Sequence, residues 1–284
     1  MLIIDNQKIL DEFCARLSNI DIISIDTEFS RRNTYYAKLS IIQVKAGSYS
    51  AIIDGLSNLD LAVFNQILIN DKILKLFHAP REDLEIFYYL FGVLPCNIFD
   101  IQIAADICGF GKQLSYDDLC YKIYDVKIDK TCQKSNWLKR PIKEEMLNYA
   151  MQDLEYLEVI YKELYKIITE NNLIKEYNTQ LQYLLNIKNY FVKPADAWQK
   201  VRFRRESSEF IAKMQILARY REEQVKQINI PRRHFIIDED LIKLCQALPV
   251  TAEDFKNLKL KSRYLRKQKY SEQIINLCKK ISLM

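Results

Sequence analysis

Glycine is scarce in this 284-residue chain, with five in all: Gly47, Gly55, Gly92, Gly109 and Gly111. A dinucleotide fingerprint needs three glycines at fixed spacing, and a P-loop must end in Gly-Lys-Ser/Thr. Neither pattern occurs, so no nucleotide cofactor is expected. Histidine is scarcer still, with His78 and His234, which leaves a zinc site or a histidine-based triad almost nothing to use. The seven cysteines are scattered, with no C-x2-C pair; they read as reduced thiols of a cytoplasmic protein. No apolar run approaches about 18 residues, so no membrane segment is expected. The opening Met1-Leu-Ile-Ile-Asp5 has neither a basic region nor a small-residue cleavage site, against a secretory signal.

What remains is ordinary globular material, 49% hydrophobic and 28% charged, long enough for one large or two ordinary domains. The formal net charge of +5 is unevenly spread. Residues 1–195 hold 22 Lys+Arg against 26 Asp+Glu, whereas residues 196–284 hold 20 against 11. An acidic body with a basic tail suits a carboxylate-based metal site in the first part and a nucleic-acid grip in the second.

Hydrophobic patterning predicts strands at residues 20–26, 39–44, 50–54 and 73–77, the second and third joined as a hairpin through Gly47. A helix is expected from Pro80, which fits a first turn, to Phe91, where Gly92 stops it. After Asp100 the pattern is helical: 101–108, 116–124, one long helix over 143–168, and, beyond residue 196, helices only, the first over 206–227. Strands early and helices late predict a mixed sheet with helices packed on it.

Three stretches carry carboxylates in a chemically suggestive order. Asp26 and Glu28 lie two apart at the end of the first strand, on one face. Asp83 falls in the first turn of the helix after strand 73–77, where a negative charge suits the helix dipole. Tyr149 and Asp153 are four apart on one helix face, amid Leu147, Ala150, Leu154 and Leu157. An acid at the edge of such an apolar stripe is costly unless paired or metal-bound. Converging carboxylates bind hard divalent cations, and two such cations can clamp an in-line phosphoryl displacement.

The strings Ile-Asp26-Thr-Glu28-Phe29, Phe77-His78-Ala-Pro-Arg-Glu-Asp83-Leu84 and Tyr149-Ala-Met-Gln-Asp153 resemble the three motifs of the DEDD exonuclease superfamily, in its tyrosine variant. Residues 26–43, Phe99-Asp100-Ile-Gln102 and Asp129-Lys130 through Asn136-Trp137 to Arg140-Pro141 resemble the ribonuclease D family in particular. Ala197-Trp198, Tyr220-Arg221-Glu222 and Ile230-Pro231-Arg232-Arg233 resemble the HRDC domain, a small helical nucleic-acid-binding module. Pro80 stands where glycine is usual, and Asn136 replaces an acid.

The resemblance implies an α/β, RNase H-like mixed-sheet exonuclease domain at 1–170, a helical linker at 171–200 and an all-α HRDC domain at 201–284. It implies a 3′–5′ exoribonuclease that uses two divalent metal ions, Mg²⁺ or Mn²⁺, trims single-stranded RNA 3′ ends such as those of tRNA precursors, and releases nucleoside 5′-monophosphates. Asp26, Glu28, Asp83 and Asp153 would hold the metals and Tyr149 would orient the attacking water. Tyr35, Tyr36, Gln43, Lys130, Arg140, Arg232, Arg233, Lys261 and Arg263 are the expected RNA contacts. His78 is expected to be structural. The protein is expected to be a monomer, and removing the basic tail is expected to spare the chemistry. The alternatives are a DNA exonuclease with the same site and a catalytically weak RNA-binding protein.

Overall fold

The computed structural model describes residues 1–204 and 207–283, which separate into two units. The first holds Met1–Ser30 and Ala37–Tyr190, the second Arg31–Tyr36 and Phe191–Met284. In the first unit the elements run β1 (Leu2–Ile4), α1 (Gln7–Leu17), β2 (Ile22–Ser30), β3 (Lys38–Ala46), β4 (Tyr49–Asp54), α2 (Ala62–Leu68), β5 (Leu74–Phe77), α3 (Arg81–Phe91), β6 (Ile98–Asp100), α4 (Ile101–Ile107), α5 (Tyr116–Tyr124), α6 (Glu144–Glu155), α7 (Leu157–Glu170) and α8 (Ile174–Leu184).

The six strands form one mixed sheet in the order β1-β4-β3-β2-β5-β6. β2, β3 and β4 are antiparallel neighbours, while β1–β4, β2–β5 and β5–β6 run parallel. The β3–β4 turn holds two residues with Gly47 first, at φ 57°, a conformation that glycine adopts without penalty. α3 keeps its expected limits, with Pro80 as N-cap and Gly92 closing it at φ 72°. Ile23, Ile25, Ile42, Val44 and Ile53 from the sheet meet Leu10, Phe64, Leu84 and Phe87 from helices in one core. Leu76, Phe99, Leu119, Ile160 and Leu164 make another.

Two expectations change here. The long helix over 143–168 is two helices, broken at Tyr156 (φ −104°, ψ −2°). α6 buries Met146, Leu147, Tyr149 and Ala150 against Ile41, Ile52 and Trp137, whereas its last turn, through Leu154, joins Leu157, Ile160, Leu164 and Ile168 of α7 in a different cluster. One straight apolar stripe does not serve both. Second, the chain division falls at Tyr190–Phe191 and not at 170. Tyr177 of α8 is buried, stacks on Phe99 and accepts the Asp100 N–H at 2.9 Å, so the proposed linker 171–200 is divided between the units.

Among its described residues the second unit has helices and no strand: α9 (Ser208–Ile228), α10 (Arg232–Phe235), α11 (Asp238–Ala247), α12 (Ala252–Asn257) and α13 (Gln268–Ser282). α9 starts at Ser208, with Ser207 as its cap; its expected start, Glu206, lies outside the described residues. Phe235 is fully buried among Tyr220, Tyr264 and Tyr270. Buried Arg221 reaches the Ile236 carbonyl at 3.1 Å and Asp238 at 2.6 Å.

Candidate active site

β2 does not end at the first motif; it runs through Asp26, Thr27 and Glu28 to Ser30, paired with β3 throughout and with a register shift between Glu28 and Phe29. Strand alternation puts Asp26 and Glu28 on one face. On β3, the residue opposite Asp26 is Gln43. Its side chain is fully buried, and its amide donates to Asp26 Oδ2 at 3.4 Å. Gln43 was expected to contact RNA; its burial gives it a different task, that of holding a carboxylate.

α6 brings Asp153 to this face. One carboxylate oxygen from each of Asp26, Glu28 and Asp153 lies within 4.8 Å of the other two. Tyr149, one helical turn before Asp153, is buried and lies on the same face of α6. Asp83, in the first turn of α3, is buried and accepts a hydrogen bond from the Thr27 hydroxyl. It stands outside the three-residue cluster, yet its charge reaches Asp26 and Glu28. The sequence reading missed Thr27, whose hydroxyl joins the first and second motifs.

Packing acids this closely has an electrostatic cost. Burial, then the charges of Asp83, Asp153 and Glu28, holds Asp26 well above the usual carboxylate range. Burial and its acidic neighbours push Glu28 up to about 9. Burial pushes Asp83 and Asp153 each to about 6. An all-oxygen donor set under mutual repulsion fits a hard divalent cation, which removes the repulsion and needs no nitrogen or sulfur ligand.

The cluster opens into a cleft of about 370 Å³ whose walls include Asp26, His78, Gln102, Tyr116, Asp117, Lys130, Gln133, Tyr149 and Asp153. Burial pushes the His78 imidazole down to about 4. It is therefore neutral at pH 7 and packs edge-on to Tyr116 at 5.8 Å. Lys130 pairs with Asp117 at 2.5 Å on the cleft wall, the one expected RNA contact that lines the cleft.

The remaining expected contacts fall elsewhere. Arg140 makes a two-pronged ion pair with Asp54, Nε to Oδ2 at 2.7 Å and Nη2 to Oδ1 at 2.6 Å. It also donates to the carbonyls of Trp137 and Ser40. That geometry pins the segment before α6 onto the hairpin; it is a structural clamp. In the second unit the Tyr35 hydroxyl donates to Glu222, and Arg232 binds both partners, Nε to Glu222 Oε2 at 2.5 Å and Nη2 to Tyr35 at 3.0 Å. Tyr36 packs edge-on against Tyr35 at 4.8 Å. Arg233 and Arg263 are exposed, and Lys261, also exposed, pairs with Glu239 at 2.7 Å.

Comparison with known proteins bears on the family and the fold. Residues 1–169 match the family model described as 3′-5′ exonuclease. The chain is 38% identical over 246 residues to a ribonuclease D of Bartonella henselae, covering 86% of this chain and 61% of that one. It is 33% identical over 271 residues to a ribonuclease D of Jannaschia sp., covering 94% and 70%. The chain thus spans about two thirds of the length of these relatives. Among solved structures, Escherichia coli RNase D, described as an exoribonuclease involved in structured RNA processing, superposes with a TM-score of 0.91 at 26% identity, covering 99% of this chain and 75% of that one. The catalytic core of RRP6 from Trypanosoma brucei shares the fold, with a TM-score of 0.72 at 20% identity, covering 99% and 79%.

Proposed function

The chain belongs to the ribonuclease D family, and from that premise we propose that it is a divalent-cation-dependent 3′–5′ exoribonuclease acting on single-stranded 3′ ends of structured RNA, of which tRNA precursors are the first candidates. The observation that carries the reading is the convergence of Asp26, Glu28 and Asp153 within 4.8 Å, with Tyr149 one helical turn before the last of them. Asp26, Glu28 and Asp153 would hold the cation or cations, with Asp83 supporting from beside Thr27. Divalent cations bound there would neutralise charge on the scissile phosphate and acidify the attacking water.

The chain's own residues supply the geometry. Gln43 fixes Asp26 by donating to one of its oxygens. Tyr149 presents its hydroxyl beside Asp153; burial and the surrounding acids raise its pKa, so it stays protonated and acts as a hydrogen-bonding guide for water, not as a base. The His78 imidazole on the cleft wall, pushed down to about 4, is too weak a base to take the water's proton at pH 7. The helical second unit, with its excess of basic residues, is proposed as an HRDC-type module that contributes phosphate contacts.

The deciding experiment incubates the protein with 3′-tailed RNA and with DNA of the same sequence, with Mg²⁺, with Mn²⁺ and with chelator. Stepwise release of nucleoside 5′-monophosphates from RNA, abolished by chelator, is expected. Equal or faster degradation of DNA would favour the DNA-exonuclease reading, and no cleavage under any cation would defeat both. Tyr149→Phe keeps the carboxylates and removes only the guiding hydroxyl. Its single-turnover rate should fall by about 10²–10⁴ while the cation requirement stays unchanged; a wild-type rate would remove Tyr149 from the mechanism.

A further inference from the structure

The break between α6 and α7 has a specific cause. In an uninterrupted α-helix the Tyr156 N–H would donate to the Gln152 carbonyl, four residues back. It donates to the Tyr116 hydroxyl instead, at 3.0 Å, and that hydroxyl donates onward to the Gln152 carbonyl at 3.1 Å. A phenol from α5 is thus inserted into the helical ladder, one of the few recognised causes of a sharp helix break. The backbone groups it bridges flank Asp153. Asp153 stands in the last turn of α6, directly after Gln152.

Tyr116 is held firmly enough to act as a wedge. It is the first residue of α5, only 9% exposed, and its ring packs edge-on against His78. α7 is equally fixed, with Leu157, Ile160, Leu164 and Ile168 buried in the core. If the hydroxyl were absent, Gln152 and Tyr156 would be free to bond directly, closing a gap that two hydrogen bonds now span. Leu154, beside Asp153, is buried in the same core as α7, so closing the gap would turn the last turn of α6 about that anchor, and this turn carries Asp153.

We propose that Tyr116 is a positioning residue for the metal site: its hydroxyl, wedged between Gln152 and Tyr156, sets where the Asp153 carboxylate meets Asp26 and Glu28. The role rests on the carboxylate reading given above, and it is indirect, since Tyr116 acts through the backbone on either side of Asp153. Supports of this kind typically change metal affinity by about 10–100-fold when removed.

The test is Tyr116→Phe, which preserves the ring and its packing and deletes only the wedge. Tyr177→Phe is the control. It too loses a buried hydroxyl that accepts a backbone N–H, that of Asp100 at 2.9 Å, but it belongs to α8 and lines neither the cleft nor the acid cluster. Each full-length protein is titrated with Mn²⁺ and followed by thermal unfolding and by the electron paramagnetic resonance signal of free Mn²⁺, without substrate. In Tyr116→Phe the Mn²⁺ concentration for half-maximal binding should rise by about tenfold or more, while Tyr177→Phe stays at the unchanged protein's value. Both variants lose one hydroxyl, so a drop in the unfolding temperature of the cation-free protein alone does not distinguish them. An unaltered Mn²⁺ midpoint in Tyr116→Phe would overturn the positioning role and leave a merely structural tyrosine. If the unchanged protein bound no Mn²⁺, the carboxylate reading would itself fall, and this role with it.

Discussion

Asp26→Asn should abolish 3′-end cleavage and at the same time make the cation-free protein harder to unfold. Asp26 sits at the centre of the cluster, within reach of the charges of Asp83, Asp153 and Glu28 and held by Gln43. An amide keeps its shape and loses the charge that would bind a cation, so the rate should fall by about a thousandfold or more. RNA affinity should change little, because phosphate contacts made elsewhere are expected to dominate it. The gain in stability follows from the same electrostatics. A carboxylate buried among carboxylates is a site arranged for function against the fold's own interest, and neutralising one should stabilise the cation-free protein by roughly 1–2 kcal/mol.

The pH dependence has a definite direction. A carboxyl whose pKa in the folded protein exceeds its value of about 4 in the unfolded chain binds its proton more tightly when folded. Its contribution is therefore complete below about 4 and is lost as the pH rises through the folded values, about 6 for Asp83 and Asp153 and about 9 for Glu28. The cation-free protein should lose unfolding temperature between pH 5 and 8; saturating Mg²⁺ should flatten that slope, and Asp26→Asn should reduce it. Thermal unfolding at a series of pH values, with and without Mg²⁺, measures all three. A variant with the unchanged protein's slope, or one cleaving within tenfold of its rate, would remove Asp26 from the cluster's centre.

What was legible in the sequence is what depends on neighbours along the chain. The hairpin at Gly47 and the helix between Pro80 and Gly92 are set by local backbone preferences, and both stand where the pattern puts them. The carboxylate order was legible too, because strand and helix periodicity fix which acids share a face. What was not legible depends on side chains far off in sequence. The interruption at Tyr156 comes from a hydroxyl 40 residues away; an apolar stripe that continues across the break gives no sign of it. Gln43 and Arg140 look like polar residues free to meet RNA, and only the register with Asp26 and the approach of Asp54 reveal what they hold. The assignment of residues 31–36 to the second unit is the largest such omission, because their partners come about 190 residues later.

That assignment changes what truncation is expected to do. From the sequence, removing the basic tail should spare the chemistry. The structure argues otherwise. Arg31 follows Glu28 by three residues, at the end of the strand that carries both motif acids, and 31–36 is the connection from β2 to β3. Within the second unit, the N–H groups of Tyr35 and Tyr36 both donate to Asn229 Oδ1 at 3.0 Å, and the Tyr35 hydroxyl is held by Glu222 and Arg232. Cutting the chain after Tyr190 removes Asn229, Glu222 and Arg232 together, and the β2–β3 connection loses what orders it. Asn229→Gly isolates the effect. Asn229 closes α9 at φ 49°, which glycine adopts without strain, so the helix end survives while the shared acceptor is lost. Misplacing catalytic groups by about 1 Å can cost up to about 10²-fold in rate. At saturating short single-stranded RNA, kcat should fall by about tenfold in Asn229→Gly and further in the protein ending at residue 190. The salt dependence of RNA binding should be unchanged in Asn229→Gly, which removes no positive charge, and shallower in the truncated protein. Wild-type kcat in both proteins would show that the order of residues 31–36 does not bear on Asp26 and Glu28, and would restore the view of the second unit as a separate grip.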